Sequence, residues 1–291
     1  MSAPVDVLAV LRAVGRELRP GAAECPCHGV PEPLCPARPA AGKGAAAPDV
    51  SSLDAASVAR LIDHTLLKPE ATPAQVRALC REAREHAFAA VCVNPIWVRT
   101  CAAELADSGV AVASVAGFPL GASVAEVKAA EAAAAVADGA REVDMVIGIG
   151  ALKAGEHRLV ERDVAAVVDA CRPGGALVKV IIEAALLTDE EKARAAAIAK
   201  LAGAGFVKTS TGFGPGGATV EDVALLRRVV GPGVGVKAAG GIRDWPAARA
   251  MVAAGASRIG TSSGPAILAG VTEHSCAQIG SSTRMLSRPR R

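Results

Sequence analysis

Val178-Lys179-Val180-Ile181-Ile182-Glu183, then Thr188-Asp189-Glu190-Glu191, then Phe206-Val207-Lys208-Thr209, read in order, set the fold. The first and last pieces are short, apolar and β-branched, as buried strands are. Between them Thr188 opens a helix with Glu191 three residues later, the spacing of a capping box. Gly203 then ends the helix where a left-handed residue is wanted. The unit is therefore strand, helix, strand.

The same unit recurs outward in both directions. Strands are predicted at Leu61–Leu66, Phe88–Val93, Val112–Ala116, Glu142–Ile147, Val178–Glu183, Phe206–Thr209, Val234–Ala238 and Arg258–Thr261. Their starts fall about 25–35 residues apart, the size of one βα unit. Thr72-Pro73 opens a helix with a cap and a first-turn proline; Ser123 with Glu126 opens another; Thr219 and Asp222 begin a further one. Gly139 and Gly255 close helices as Gly203 does. Eight such units predict an α/β fold, a (β/α)8 TIM barrel. An open doubly wound sheet is the alternative, and it lacks a GxGxxG after its first strand.

Composition fits this. The chain has 291 residues, 51% hydrophobic, with four Phe, two Trp and no Tyr, so its core is Val, Ile, Leu and Ala. A net charge of +3 with dispersed basic residues argues against a nucleic-acid partner. The absence of a long apolar run predicts no membrane span, and the N-terminus has no signal-peptide core. A cytoplasmic location is the expectation.

Residues 1–50 divide into a helical stretch, Val5 to Leu18, and a Pro-, Ala- and Gly-rich segment, 19–50, predicted to be a disordered or loosely packed linker. The domain is expected over 51–270, followed by a flexible tail over 271–291. Eight cysteines are scattered along the chain, none in a CxxC pair. Cys25-x-Cys27-His28 is tighter than the usual structural zinc spacing, so the cysteines are read as reduced thiols and no metal is expected.

Barrel active sites form at the C-terminal ends of strands. Polar residues there are Asp63, Thr65 and Lys68, Cys92 and Asn94, Asp144, Lys179 and Glu183, Lys208, Thr209 and Ser210, and Lys237. Three lysines on strands five, six and seven are anomalous, because lysine is rarely buried unpaired. Clustered with Asp144 and Asp63, they suit amine chemistry. Neighbouring cations and desolvation favour a neutral, nucleophilic amine on Lys208, with Lys237 and Lys179 supplying the charge. Asp144 can hold a lysine or pass protons through water. Gly212, Gly240-Gly241 and Gly260-Thr261-Ser262-Ser263 follow strands six, seven and eight, the usual phosphate position of this barrel.

Asp63-His64-Thr65-Leu66-Leu67-Lys68-Pro69, Val91-Cys92-Val93-Asn94-Pro95, Glu142-Val143-Asp144-Met145-Val146, Val207-Lys208-Thr209-Ser210-Thr211-Gly212 and Val236-Lys237-Ala238-Ala239-Gly240-Gly241 together resemble the deoxyribose-phosphate aldolases, a class I family, over about residues 55–270. The resemblance implies reversible cleavage of 2-deoxy-D-ribose 5-phosphate to acetaldehyde and D-glyceraldehyde 3-phosphate, in deoxyribonucleotide catabolism, without a cofactor. It implies Lys208 as the imine lysine, Lys237 as the cation that lowers its pKa, and Asp144 in the proton relay. Around the substrate it implies Lys179 linked to Asp144, Cys92 near the aldehyde pocket, and Asp63, Thr65, Thr211, Gly212, Gly240, Gly241, Gly260, Ser262 and Ser263. It also implies a homodimer. Some members use a C-terminal tyrosine for proton transfer, and this sequence has none. A related aldolase acting on another phosphorylated or keto-acid substrate, and a non-catalytic sugar-phosphate binder, are the competing readings.

Overall fold

The computed structural model describes residues 4–37 and 47–272. The chain begins with α1 (Val7–Leu18), followed after the short helix α2 (Ala55–Ala59) by β1 (Ile62–Leu66), α3 (Pro73–Glu85), β2 (Ala90–Val93), α4 (Val98–Glu104), β3 (Ala111–Ala116) and α5 (Ala125–Ala137). Next come β4 (Glu142–Val146), α6 (Ile149–Lys153), α7 (His157–Cys171), β5 (Leu177–Ile181), α8 (Asp189–Leu201) and β6 (Phe206–Lys208). The last elements are α9 (Val220–Val230), β7 (Gly235–Ala239), α10 (Trp245–Ala253), β8 (Arg258–Thr261) and a helix over 264–272. All eight strands pair in parallel and in sequence order, and β8 closes on β1. The fold is a (β/α)8 TIM barrel.

Strand alternation divides the side chains between two cores. Val91, Val143, Met145, Val180, Val207, Val236 and Ile259 face outward into the helices. Inside, β2 and β3 contribute a small apolar cluster of Ala90, Cys92, Ala113 and Val115. The other strands fill the interior largely with charge, as described below. Helix starts follow the local chemistry: Thr72 and Thr188 form complete capping boxes with Gln75 and Glu191, and Thr219 accepts from the Asp222 amide. Gly139, Gly203 and Gly255 all have positive φ.

The expected Ser123 cap is not formed. Helix α5 starts after Val124, whose side chain caps nothing. The helix is anchored instead by buried Lys128, which donates to Asp163 (2.6 Å) and to the Val146 carbonyl (2.9 Å).

The reading of 19–50 as a loose linker fails for 19–37. Cys25, Val30, Leu34 and Cys35 are buried there, and Glu24 bridges to Pro31. Helix α1 lays Val10, Leu11, Val14 and Leu18 against α8 and α9, each contributing about 1.5–3 kcal/mol of burial. Glu17 and Arg19 pair with His157 and Glu161 on α7. The apolar contacts that order this segment lie far away in sequence, so local composition concealed them. The C-terminal tail expected over 271–291 lies almost wholly outside the described residues. Among the described residues, no helix is long and apolar enough to cross a membrane.

Candidate active site

Strand register brings the charged residues together. Asp144 on β4 lies level with Lys179 on β5, Lys208 on β6 with Lys237 on β7, and Lys237 with Arg258 on β8. All point inward. Asp144 is the hub: its Oδ2 accepts from Lys208 Nζ (2.8 Å) and Lys237 Nζ (2.7 Å), and its Oδ1 from Lys179 Nζ (2.8 Å). Lys237 also donates to Asp63. Below this layer, Lys179 pairs with Glu142 (2.5 Å), and Arg258 bridges Asp63 (2.6 Å) and Glu142 (3.0 Å).

The network holds four cations, Lys179, Lys208, Lys237 and Arg258, against three carboxylates, Asp63, Glu142 and Asp144. Burial makes an uncompensated charge expensive, so one amine is driven toward neutrality. Burial and the Lys237 cation lower the pKa of Lys208, against the opposing pull of Asp144. For Lys179 and Lys237 burial acts in the same sense, but their carboxylate partners prevail and raise both. Burial alone would raise Asp144; the three lysines overcome it and hold the carboxyl well below its usual range. Burial, assisted by Asp144, pushes the Cys92 thiol up to about 11, so it stays protonated at neutral pH.

A cavity of about 360 Å³ opens above this network. Of the three strand lysines, only Lys208 lines it. Thr65, Thr211, Gly212, Gly240, Gly241, Gly260 and Ser262 also line it, as expected from the sequence. Lys179, Asp63 and Cys92 do not: they lie fully buried in the barrel, and the structure places them in or against the charge network and not at the wall. Ser263 stands back from the wall too, just before the helix over 264–272, its amide donating to the Thr261 hydroxyl. Gly260 serves a second purpose, because a Cβ there would meet Lys237 Cε at 2.9 Å.

Thr65 donates to the Asp63 carbonyl, and Asn94 to that of Leu67, which holds the segment after β1 in place. Thr211 is fixed by Glu183, which accepts from its hydroxyl and amide. Glu183 occupies the left-handed region at φ 52°, an uncommon conformation for a residue with a side chain. Sequence reading missed Glu142 and Arg258. The signal for Glu142 was present, since it lies two residues from Asp144 and therefore shares its face. Arg243 and Phe213 at the cavity wall were also missed; they sit on loops, where no periodicity marks them.

The arrangement therefore presents one depressed amine to a cavity whose rim carries glycine-rich loops. Residues 57–270 match the family model described as DeoC/LacD family aldolase. The deoxyribose-phosphate aldolase of Geobacillus sp. (strain WCH70) is 60% identical over 219 residues, covering 75% of this chain and 98% of that protein. That of Listeria monocytogenes serotype 4a (strain HCC23) is 59% identical over 214 residues, covering 74% and 96%. Among solved structures, the tetrameric deoxyribose phosphate aldolase from Aeropyrum pernix superposes with a TM-score of 0.71 at 38% identity, covering 75% of this chain and 93% of that one. An interior amine network on this barrel and a family match spanning the barrel point the same way: the chain belongs to the DeoC/LacD family of aldolases and is a carbon–carbon lyase.

Proposed function

We propose that this aldolase cleaves 2-deoxy-D-ribose 5-phosphate reversibly to acetaldehyde and D-glyceraldehyde 3-phosphate through a Schiff base on Lys208. The observation that carries the reading is the position of Lys208: it belongs to a network with one cation in excess, its pKa is lowered, and it faces the cavity. The names of the relatives supply the substrate.

The neutral Lys208 amine attacks the C1 aldehyde of the open-chain sugar and, with loss of water, becomes an iminium ion. The iminium accepts the electron pair of the C2–C3 bond as the C3 hydroxyl gives up its proton. Glyceraldehyde 3-phosphate leaves, and the enamine is protonated at C2 and hydrolysed to acetaldehyde. Asp144 stays ionised and touches both Lys208 and Lys237, so it orients the amine and, as a hydrogen-bond acceptor, anchors a water-borne proton relay. With no tyrosine in the chain, that relay serves in its place. Lys237 keeps its charge and disfavours protonation of Lys208.

The phosphate is assigned to the rim formed by Gly212, Gly240, Gly241 and Ser262, close to the N-terminus of the helix over 264–272. Backbone amides at a helix N-terminus favour an anion. Arg243 and Lys68 line the same cavity and add positive charge.

Borohydride reduction in the presence of acetaldehyde, or of the sugar phosphate, tests the reading. The expected result is a reduced-imine mass on the peptide containing Lys208, absent in Lys208→Ala and formed in Lys237→Arg. No adduct with either carbonyl, or an adduct that persists in Lys208→Ala, overturns the assignment.

A further inference from the structure

Four potential metal ligands that the aldol chemistry does not use converge in the N-terminal extension. Cys25, Cys27, His28 and Cys35 place three sulfurs and one imidazole nitrogen within 4.8 Å of one another. Cys27 Sγ lies 3.7 Å from Cys25 Sγ and 3.4 Å from Cys35 Sγ, and His28 Nδ1 lies 3.1 Å from Cys27 Sγ and 3.6 Å from Cys35 Sγ. A tetrahedral zinc ion with Zn–S of about 2.3 Å and Zn–N of about 2.0–2.1 Å puts its sulfurs about 3.7–3.8 Å apart and sulfur from nitrogen about 3.5 Å. The Cys25–Cys27 and Cys35–His28 separations fit that edge length, and the Cys27–Cys35 and Cys27–His28 ones fall somewhat short of it, so these four observed separations need only small side-chain adjustments to seat the ion. They are too long for a disulfide, whose sulfurs sit about 2.05 Å apart, and all three cysteines are free.

We propose that Cys25, Cys27, His28 and Cys35 form a structural zinc site of the Cys3His type, bound through His28 Nδ1. The donor set is soft and four-coordinate, which selects zinc among the common divalent ions. All four positions are protein ligands, so none is left open for substrate or water. Binding releases the thiol protons to solvent, and three thiolates with one Zn²⁺ leave the site at net charge −1. Two cations hold its backbone: Arg12 donates to the carbonyls of His28 and Gly29, and Lys200 to those of Leu34 and Cys35.

The loop is built to bring distant ligands together. The Cys25 amide donates to the Val30 carbonyl, and the Gly29 amide returns to the Cys25 carbonyl. This tight turn stacks Cys27 and His28 over Cys25. The chain then reverses, and the short helical turn Glu32–Leu34 delivers Cys35 from the other side. The tight Cys25-x-Cys27 spacing argued against a metal only while Cys35 was left out. None of the four residues falls within the 57–270 segment shared with the aldolase family, so the site is a property of this chain's extension.

Its place in the fold assigns its role. Lys200 lies in the last turn of α8 and also donates to Val230, the final residue of α9. These helix ends lead into the starts of β6 and β7, whereas Lys208 closes β6 at its far end. The cluster therefore clasps the face of the barrel opposite the cavity, where residues contribute stability and not chemistry.

The test uses the full-length chain purified in reductant without chelator. Metal analysis is expected to give one zinc per chain, and replacement by Co²⁺ to give the visible bands of a tetrahedral thiolate complex. Cys27→Ser and Cys35→Ser are expected to lose both, while Cys171→Ala keeps both. Aldol turnover and circular dichroism on the same samples show that the barrel is intact. Chelation of the wild type should lower the melting temperature and leave kcat unchanged. A chain that takes up no stoichiometric zinc under reducing conditions, full zinc in Cys27→Ser, or an internal disulfide among these cysteines in the freshly purified protein overturns the proposal.

Discussion

Lys237→Met isolates the electrostatic part of the proposed chemistry. Lys208 and Lys237 Nζ lie 2.8 and 2.7 Å from the same Asp144 oxygen, so they are about 5.5 Å apart at most. Two unit charges at that distance repel by about 3 kcal/mol at an effective dielectric constant near 20. Each 1.36 kcal/mol is about tenfold in a protonation equilibrium. Removing Lys237 therefore lowers the neutral fraction of Lys208, on the acidic side of its titration, on the order of 100-fold. The sign follows from the chemistry: the amine reacts when unprotonated, Lys237 lowers its pKa, and loss of Lys237 raises it. The acidic limb of kcat/KM should move to higher pH, and activity should recover as the pH is raised. Lys237→Arg, which keeps the charge, should leave the limb near its original position. The assay is the pH profile of deoxyribose 5-phosphate cleavage, with circular dichroism to confirm folding. A loss in Lys237→Met that is equal at every pH, or a limb that moves as far in Lys237→Arg, refutes the charge argument.

Three other outcomes are expected. Arg243→Gln should raise KM for the phosphorylated sugar on the order of tenfold, about 1.4 kcal/mol of lost charge-assisted binding; kcat, and turnover of 2-deoxyribose lacking the phosphate, should change little in a steady-state comparison. Lys128→Met leaves Asp163 buried without its cation, a loss of about 3–5 kcal/mol; thermal melting should fall by on the order of 10 °C. Leu11→Ala empties a fully buried position between α1 and the barrel, costing about 2–5 kcal/mol in denaturant titration with kcat unchanged, because α1 lies away from the cavity.

The barrel was legible because its signals are local. Apolar runs and the caps at Thr72, Thr188 and Thr219 each depend on a few adjacent residues. Lys208, Lys237 and Asp144 stood out because a charge in an apolar strand is costly wherever it lies. What escaped were meanings set by contacts distant in sequence. Arg258 was read as a strand's first residue and is a partner of Asp63 and Glu142. Cys35 was read as part of a linker and lies beside His28 and Cys27. Lys179 was expected both linked to Asp144 and near the substrate; the link is formed, but the fully buried amine stands away from the cavity wall.

The four-to-three charge imbalance has a consequence for the intermediates of the proposed reaction. A free neutral amine leaves the barrel interior balanced, but iminium formation restores the fourth positive charge. The intermediate is thus raised in energy by its surroundings, while the enamine that follows carbon–carbon cleavage is neutral and brings the interior back into balance. The same buried network that prepares Lys208 to attack thereby favours the bond-breaking direction once the imine exists, using charges that never touch the breaking bond.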